Sequence, residues 1–297
     1  MRLAVTGKNG QVVSALQALA SAELEVVAVG RPELDLMRPE TASKALRDVK
    51  PDVVVSAAAY TAVDKAESEA DIAFAVNRDG ARAVAQVAND LGVPIIHIST
   101  DYVFDGTKAT AYSESDPTGP ASIYGRSKLD GEKAVSESAP NHAILRTAWV
   151  YSEYGNNFVK TMLRLSEGRD EINVVADQFG CPTSANDIAA AIVAIAKKLR
   201  EDTSASLRGT FHLSGTGETN WADFARRIFA FSTENGGKPM IVNDIATEQY
   251  PTPARRPANS RLDCSKLEKI YGIRLPSWQI STRAVVTALA QSKKETP

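Results

Sequence analysis

A chain of 297 residues with 43% hydrophobic, 24% charged and 6% aromatic residues has a globular composition, long enough for one large or two interlocked domains. Its 34 Lys and Arg against 36 Asp and Glu leave a net charge of -2, which excludes the broad positive field that phosphate-backbone binding requires, so no nucleic-acid partner is expected. The two cysteines, Cys181 and Cys264, lack ligand spacing and no apolar run reaches membrane-spanning length, so a cytoplasmic protein without leader, membrane contact, disulfide framework or structural zinc is expected.

In chain order, short β-branched runs at 3–6, 25–29, 52–57, 94–99 and 142–147 alternate with helical segments at 11–20, 39–49, 71–91 and 124–138. Runs such as Val53-Val54-Val55 and Ile95-Ile96 suit strands buried on both faces of a parallel sheet. Ile72, Val76, Ala83, Val84, Val87 and Leu91 share one helical stripe. The alternation predicts an α/β protein whose dinucleotide-binding part, 1–148, is a Rossmann-type doubly wound parallel sheet. Beyond Trp149 the elements shorten: a helix at 157–167, an extended run at 171–175, a helix at 185–199 entered through Ser184 or Asn186, a core strand at 209–213, and a helix at 221–231 capped by Asn220. Four prolines within 238–257 predict a loop, and 293–297 a frayed tail. Segments 149–183 and 221–263 then make a smaller mixed α/β substrate-binding domain, 184–220 returns to the first domain, and 264–297 supplies C-terminal helices.

Gly7-Lys8-Asn9-Gly10-Gln11-Val12-Val13 follows the first strand and opens a helix. Glycines at such a turn let backbone N–H groups reach a pyrophosphate, whose charge the helix N-terminus stabilises. This marks Gly7, Asn9, Gly10, Gln11 and Val12 as cofactor-binding, although Val13 stands where a third glycine would allow close helix packing. After the second strand comes Arg31 rather than an acidic residue, which favours a 2′-phosphate and hence NADPH, with NADH left open; Asp35 and Leu36 lie a few residues on. The third strand ends in Ala58, Ala59, Tyr60 and Thr61, small enough at first for a flat cofactor to pack on the backbone.

The fourth strand ends Ser99-Thr100-Asp101-Tyr102, and Tyr124 and Lys128 sit one turn apart on the next helix. A phenol near its free pKa of about 10 is a poor acid at neutrality, and an adjacent ammonium lowers that value. Thr100 can orient the same substrate oxygen. His97 reads as a core histidine, Cys181 as a small loop residue, Trp149 as an aromatic at the domain cleft, and Arg255 or Arg256 as a diphosphate donor.

With Ala57 to Asp64, Val103-Phe104-Asp105-Gly106, Gly131-Glu132 and Arg146 to Tyr151, these segments resemble the extended short-chain dehydrogenase/reductases and, more narrowly, the dTDP-4-dehydrorhamnose reductase family. The resemblance continues through Asp177-Gln178, Gly180, Pro182-Thr183, Asp187-Ile188-Ala189, Arg256-Pro257, Ser260 and Leu262-Asp263, nearly the whole chain. It implies an NAD(P)H-dependent reduction of the C4 keto group of dTDP-4-dehydro-L-rhamnose, with Tyr124 as proton donor, Lys128 as its electrostatic partner and Thr100 as the supporting hydroxyl. Thr100, Asp101, Tyr102, Trp149 and Arg256 would meet the nucleotide-sugar substrate. Some members dimerise through metal-bound glutamates, but Ala15 occupies that region, so no metal is expected and the assembly is a monomer or homodimer. Two alternatives remain: another nucleotide-sugar reductase or epimerase of the superfamily, and an idle binding subunit resembling the regulatory subunit of methionine adenosyltransferase. Intact Thr100, Tyr124 and Lys128 speak against the second.

Overall fold

The chain, described over residues 1–295 by a computed structural model, begins with β1 (Arg2–Thr6), α1 (Gln11–Ala18), β2 (Glu25–Val29), α2 (Thr41–Val49), β3 (Val53–Ser56), α3 (Val63–Ala66), α4 (Ala70–Phe74), α5 (Ala81–Asp90), β4 (Ile95–Thr100), α6 (Ile123–Ser138) and β5 (His142–Thr147). It continues with β6 (Val150–Tyr151), α7 (Phe158–Leu165), β7 (Glu171–Val175), β8 (Phe179–Gly180), β9 (Thr183–Ser184), α8 (Ala185–Glu201), β10 (Gly209–His212), β11 (Thr219–Asn220), α9 (Trp221–Glu234), β12 (Ile241–Ile245), α10 (Ser265–Tyr271) and α11 (Trp278–Glu295).

Six strands form one parallel sheet in the order β10-β5-β4-β3-β1-β2. The valines of β3 are fully buried because helices cover both faces, which is why these strands read as continuous apolar runs. Leu16 of α1, Ile188 and Ile192 of α8 and Leu267 of α10 cover one face, while Leu46, Val84 and Val135 of α2, α5 and α6 cover the other. The chain winds away from β1 in both directions, through β2 on one side and β3 on the other. This leaves a crevice at their carboxyl ends, the place where open α/β sheets bind ligands. A second core gathers Tyr151, Met162 of α7, Val174 of β7, Phe224 and Ile228 of α9, and Val285 of α11. Asn157, Ser184 and Asn220 each cap the helix that follows, as their side chains accept backbone N–H bonds.

Three expectations are corrected. The helix expected at 71–91 is interrupted: Ala75–Gly80 forms a π-helical segment between α4 and α5. The extra residue turns Asn77 inward, where its amide donates to the Tyr60 carbonyl at 3.1 Å and to Ser127 Oγ at 2.9 Å and accepts from the Tyr60 N–H at 2.8 Å. A 3.6-residue period cannot register one added residue. The loop expected over 238–257 contains β12, which pairs in parallel with β7 from Ile241↔Glu171 to Ile245↔Val175. Its partner lies about seventy residues away by the difference 241 − 171, and its largely exposed pattern carries no alternation to betray it. The tail expected from 293 is helical backbone through Glu295, and 296–297 lie outside the described residues.

Helix α6 lies close to its neighbours because Gly125 and Gly131 present no side chain there. A Cβ at Gly131 would collide with the Asn77 carbonyl oxygen, and one at Gly125 with that of Tyr102. Alanine is intrinsically better in a helix by about 1 kcal/mol, yet Gly131→Ala is expected to lower the melting temperature, since backbone packed on backbone cannot yield. A Gly131→Ala variant as stable as its parent in thermal denaturation would show the approach to be looser than described.

Candidate active site

A cleft of about 560 Å³ opens at the carboxyl ends of β1, β3, β4 and β5. Gly7, Asn9, Gly10, Gln11 and Val12 line it from the first turn, and Ala58, Ala59 and Thr61 from the end of β3. Gly7 adopts φ 99°, open to glycine without strain, and no side chain caps α1, so its first N–H groups face the cleft. Thr6 Oγ1 accepts from the N–H groups of Ala57 and Ala58 at 3.0 Å each, which orders the alanine floor. Val13, in place of the third glycine, is buried and packs its Cγ2 beneath Gly7 and Gly10. A positive-φ glycine, an uncapped helix start and an alanine floor fit a dinucleotide pyrophosphate. The Gln11 side chain instead spans the cleft mouth: its Oε1 accepts from Ser152 Oγ at 2.8 Å and Asn157 Nδ2 at 3.0 Å.

Thr100, Asp101, Tyr102, Tyr124 and Lys128 meet on the opposite side of this floor. Tyr124 is half-buried, its phenol beside the Thr100 side chain, and its ring is met edge-on by that of Tyr102 at 5.5 Å. Burial pushes its pKa above the ordinary phenol range, against the lowering effect of Thr100. The sequence argument had the neighbouring ammonium lowering it, but Lys128 is directed elsewhere: its Nζ donates to the Ile98 carbonyl at 2.7 Å and lies 3.4 Å from His97 Nε2. Burial brings Lys128 down to about 8, against the opposing charge of Glu132. Asp101 is pushed up to about 6 by burial, against Ser260 and Thr100. Its Oδ1 accepts from the Thr100 hydroxyl at 3.0 Å, while its buried Oδ2 has no hydrogen-bond partner.

Trp149 lines the same cleft at φ 49°, a backbone conformation unfavourable for a bulky residue. Its indole stacks on Trp221 at 3.5 Å and 10° and lies so close over Gly180 that no side chain would fit there. Neither partner was predicted, since they come from β8 and α9.

Five expected residues lie outside the cleft lining. Arg31 is exposed beyond β2, Asp35 accepts from the Met37 N–H at 3.1 Å and pairs with Arg38 at 3.5 Å, and Leu36 is buried against Gly80. Tyr60 turns its hydroxyl to Glu69 at 2.6 Å, which raises the phenol to about 12. Arg256 pairs with Asp64 at 2.5 Å and donates to Tyr102 Oη at 3.2 Å, so its charge is already compensated. It lines a second cavity of about 340 Å³ with Arg255, Phe179 and Asp177. Arg255 is exposed and makes no hydrogen bond or ion pair among the described residues. Among those residues there is also no group of three or more His, Cys, Asp or Glu that could hold a metal ion, and no helix is long and apolar enough to cross a membrane.

Sequence reasoning also missed a buried ion pair behind the cleft. Arg146 of β5 reaches Glu132 of α6 through Nε at 2.9 Å and Nη2 at 2.7 Å, and Ser99 at the end of β4 donates to the same carboxylate at 2.5 Å. Both charges are almost wholly out of water, so removing one strands the other. Glu132→Leu or Arg146→Met alone is expected to cost roughly 3–5 kcal/mol of stability, and the double variant less than the sum. Strictly additive shifts in urea unfolding would show that the two side chains are not coupled.

The family model for the RmlD substrate binding domain matches residues 1–291. A dTDP-4-dehydrorhamnose reductase of Sinorhizobium fredii is 59% identical over 295 residues, 99% of this chain and 100% of its own. That of Escherichia coli K12 is 40% identical, covering 97% of this chain and 98% of its own. Among solved structures, a dTDP-4-dehydrorhamnose reductase from Clostridium acetobutylicum superposes with a TM-score of 0.90 at 37% identity, covering 97% of this chain and 99% of that one. One from Bacillus anthracis, in complex with NADP, gives 0.88 at 36% identity over 96% and 98%. With sequence similarity that runs from end to end and a superposable fold, the chain belongs to the dTDP-4-dehydrorhamnose reductase family.

Proposed function

We propose that this protein uses NADPH to reduce the C4 keto group of dTDP-4-dehydro-L-rhamnose, giving dTDP-L-rhamnose. The observation that carries the reading is a Tyr124 phenol beside Thr100 in the lining of the cleft, with Lys128 one turn along, in a chain 59% identical to a reductase of that name. NADPH, when bound, supplies the hydride. Gly7, Asn9, Gly10 and the first turn of α1 would hold its pyrophosphate, Ala58, Ala59 and Thr61 its flat faces, and Lys128 its nicotinamide ribose. Arg31, exposed and without a hydrogen bond or ion pair among the described residues, is the candidate for the 2′-phosphate.

The residues divide the chemistry. Because burial keeps the Tyr124 proton on its phenol oxygen, Tyr124 can give it to the developing C4 alkoxide. Thr100 would steady that phenol, and Asp101, which lines the cleft, would accept from a sugar hydroxyl. Trp149, fixed by its stack on Trp221, offers a flat wall to the sugar. The diphosphate would fall to Arg255, since Asp64 already holds Arg256. Segments 149–183 and 221–263 would thus form the substrate's side of the cleft. The cleft is complete within one chain, so a monomer or a homodimer would serve, and we place the enzyme in the cytoplasm.

Tyr124→Phe is expected to reduce turnover by about a hundredfold or more while leaving NADPH affinity nearly unchanged, since only a transition-state interaction is lost. The assay is loss of NADPH absorbance on adding dTDP-4-dehydro-L-rhamnose, and near-normal turnover removes Tyr124 from the role. Arg255→Ala should raise KM for the nucleotide-linked sugar and leave that for a free keto sugar unchanged. Arg256→Ala, which releases Asp64 and Tyr102, should impair both substrates. Equal effects of Arg255→Ala on the two would place the diphosphate elsewhere.

A further inference from the structure

His97 lies on β4 and is 1% exposed, between the end of β3 and the Lys128 side chain. Its Nδ1 is 3.1 Å from Ser56 Oγ and its Nε2 3.4 Å from Lys128 Nζ, at the long end of hydrogen-bond range. An ammonium has three hydrogens and no lone pair, so Nε2 can meet it only as an acceptor. Burial and the neighbouring Lys128 keep the ring neutral, so its one hydrogen sits on Nδ1 and is given to Ser56. The Ile98 carbonyl takes a second hydrogen of Lys128 at 2.7 Å. Two of the three N–H groups are therefore committed to β4, and the third is left for the cleft that Lys128 lines.

We propose that His97, in the Nδ1–H tautomer that the Lys128 ammonium selects at Nε2 and Ser56 accepts at Nδ1, is a positioning residue that holds the ammonium so that its remaining N–H is presented to the cofactor side of the cleft. The assignment rests on the role proposed above for Lys128. Its surroundings leave His97 no substitute: Lys128 is faced by Glu132 from its own helix and by His97 and the Ile98 carbonyl from β4, and Glu132 is engaged by Arg146 of β5 and Ser99. His142 of β5 is the other titratable group near His97, and burial lowers its pKa as well. The imidazole lone pair favours the charged form of Lys128 without adding a second buried charge.

The wild-type chain labelled with ¹⁵N-histidine tests the tautomer directly, His97 being assigned among the three histidines by comparison with His97→Gln. A protonated Nδ1 beside an unprotonated Nε2 is expected, and a protonated Nε2 overturns the proposal. In pH–rate profiles, His97→Phe should move the alkaline limb of kcat down by about one unit, the weight of one hydrogen bond to a charge, with kcat falling more than KM rises. His97→Gln, whose amide oxygen can accept in place of Nε2, should move it back. A uniform fall in rate with an unmoved limb, or a glutamine variant no better than phenylalanine, would mean a packing role only. Normal turnover in Lys128→Met would sink the catalytic reading of that lysine and leave the tautomer result standing by itself.

Discussion

Keeping an ammonium charged while it is 98% out of water is the demand around which this cleft is arranged, since Lys128 is only 2% exposed. Burial alone favours the neutral amine. The fold answers with acceptors supplied by strands rather than by water: the Ile98 carbonyl, the imidazole of His97 and, one helical turn away, the carboxylate of Glu132. Each is held in turn, His97 by Ser56 and Glu132 by Arg146 and Ser99. Helix α6 is thus coupled to three neighbouring strands through polar contacts that mostly bury no free charge.

Close approach makes those contacts reachable. Gly125 and Gly131 let α6 pack against the carbonyls of Tyr102 and Asn77, and the π-helical segment turns the Asn77 amide inward to hold the Tyr60 backbone and Ser127 together. The same packing half-buries Tyr124. A phenol whose pKa is raised by desolvation retains its proton, which suits a donor better than a base, so here burial outweighs the cation that sequence reasoning set beside it.

The two cores meet through a few specific contacts across the cleft. Gln11 joins the start of α1 to Ser152 and Asn157, and Asp64 ties α3 to Arg256 and to the N–H of Ala254. Trp149 stands where the sheet hands over to the second core, held in a strained backbone conformation by the stack on Trp221. Strain at such a position survives only where its surroundings over-determine it, and the stack and the tight seat over Gly180 do so.

Local patterns of sequence were enough for the parallel sheet, because strands buried on both faces must be continuously apolar, and for the helix cap at Asn220, with Ser184 one of two candidates at the start of α8. They were enough, too, to bring the glycine turn, Thr100, Tyr124 and Lys128 to one cleft, since a turn, a strand end and a one-turn helical spacing are local features. Strand β12 escaped because its pairing with β7 depends on a partner distant in sequence and leaves no period of its own. Arg256 was read as a free cation because nothing near it in sequence announces Asp64 as its counter-ion. His97 was read as ordinary core because burial is visible in a strand's pattern, while the identity of what lies against a buried ring is not. Periodicity and spacing report what a residue's neighbours along the chain require; charge compensation, proton position and the direction of a lysine's third hydrogen depend on groups brought together from separate strands and helices, which only the tertiary structure decides.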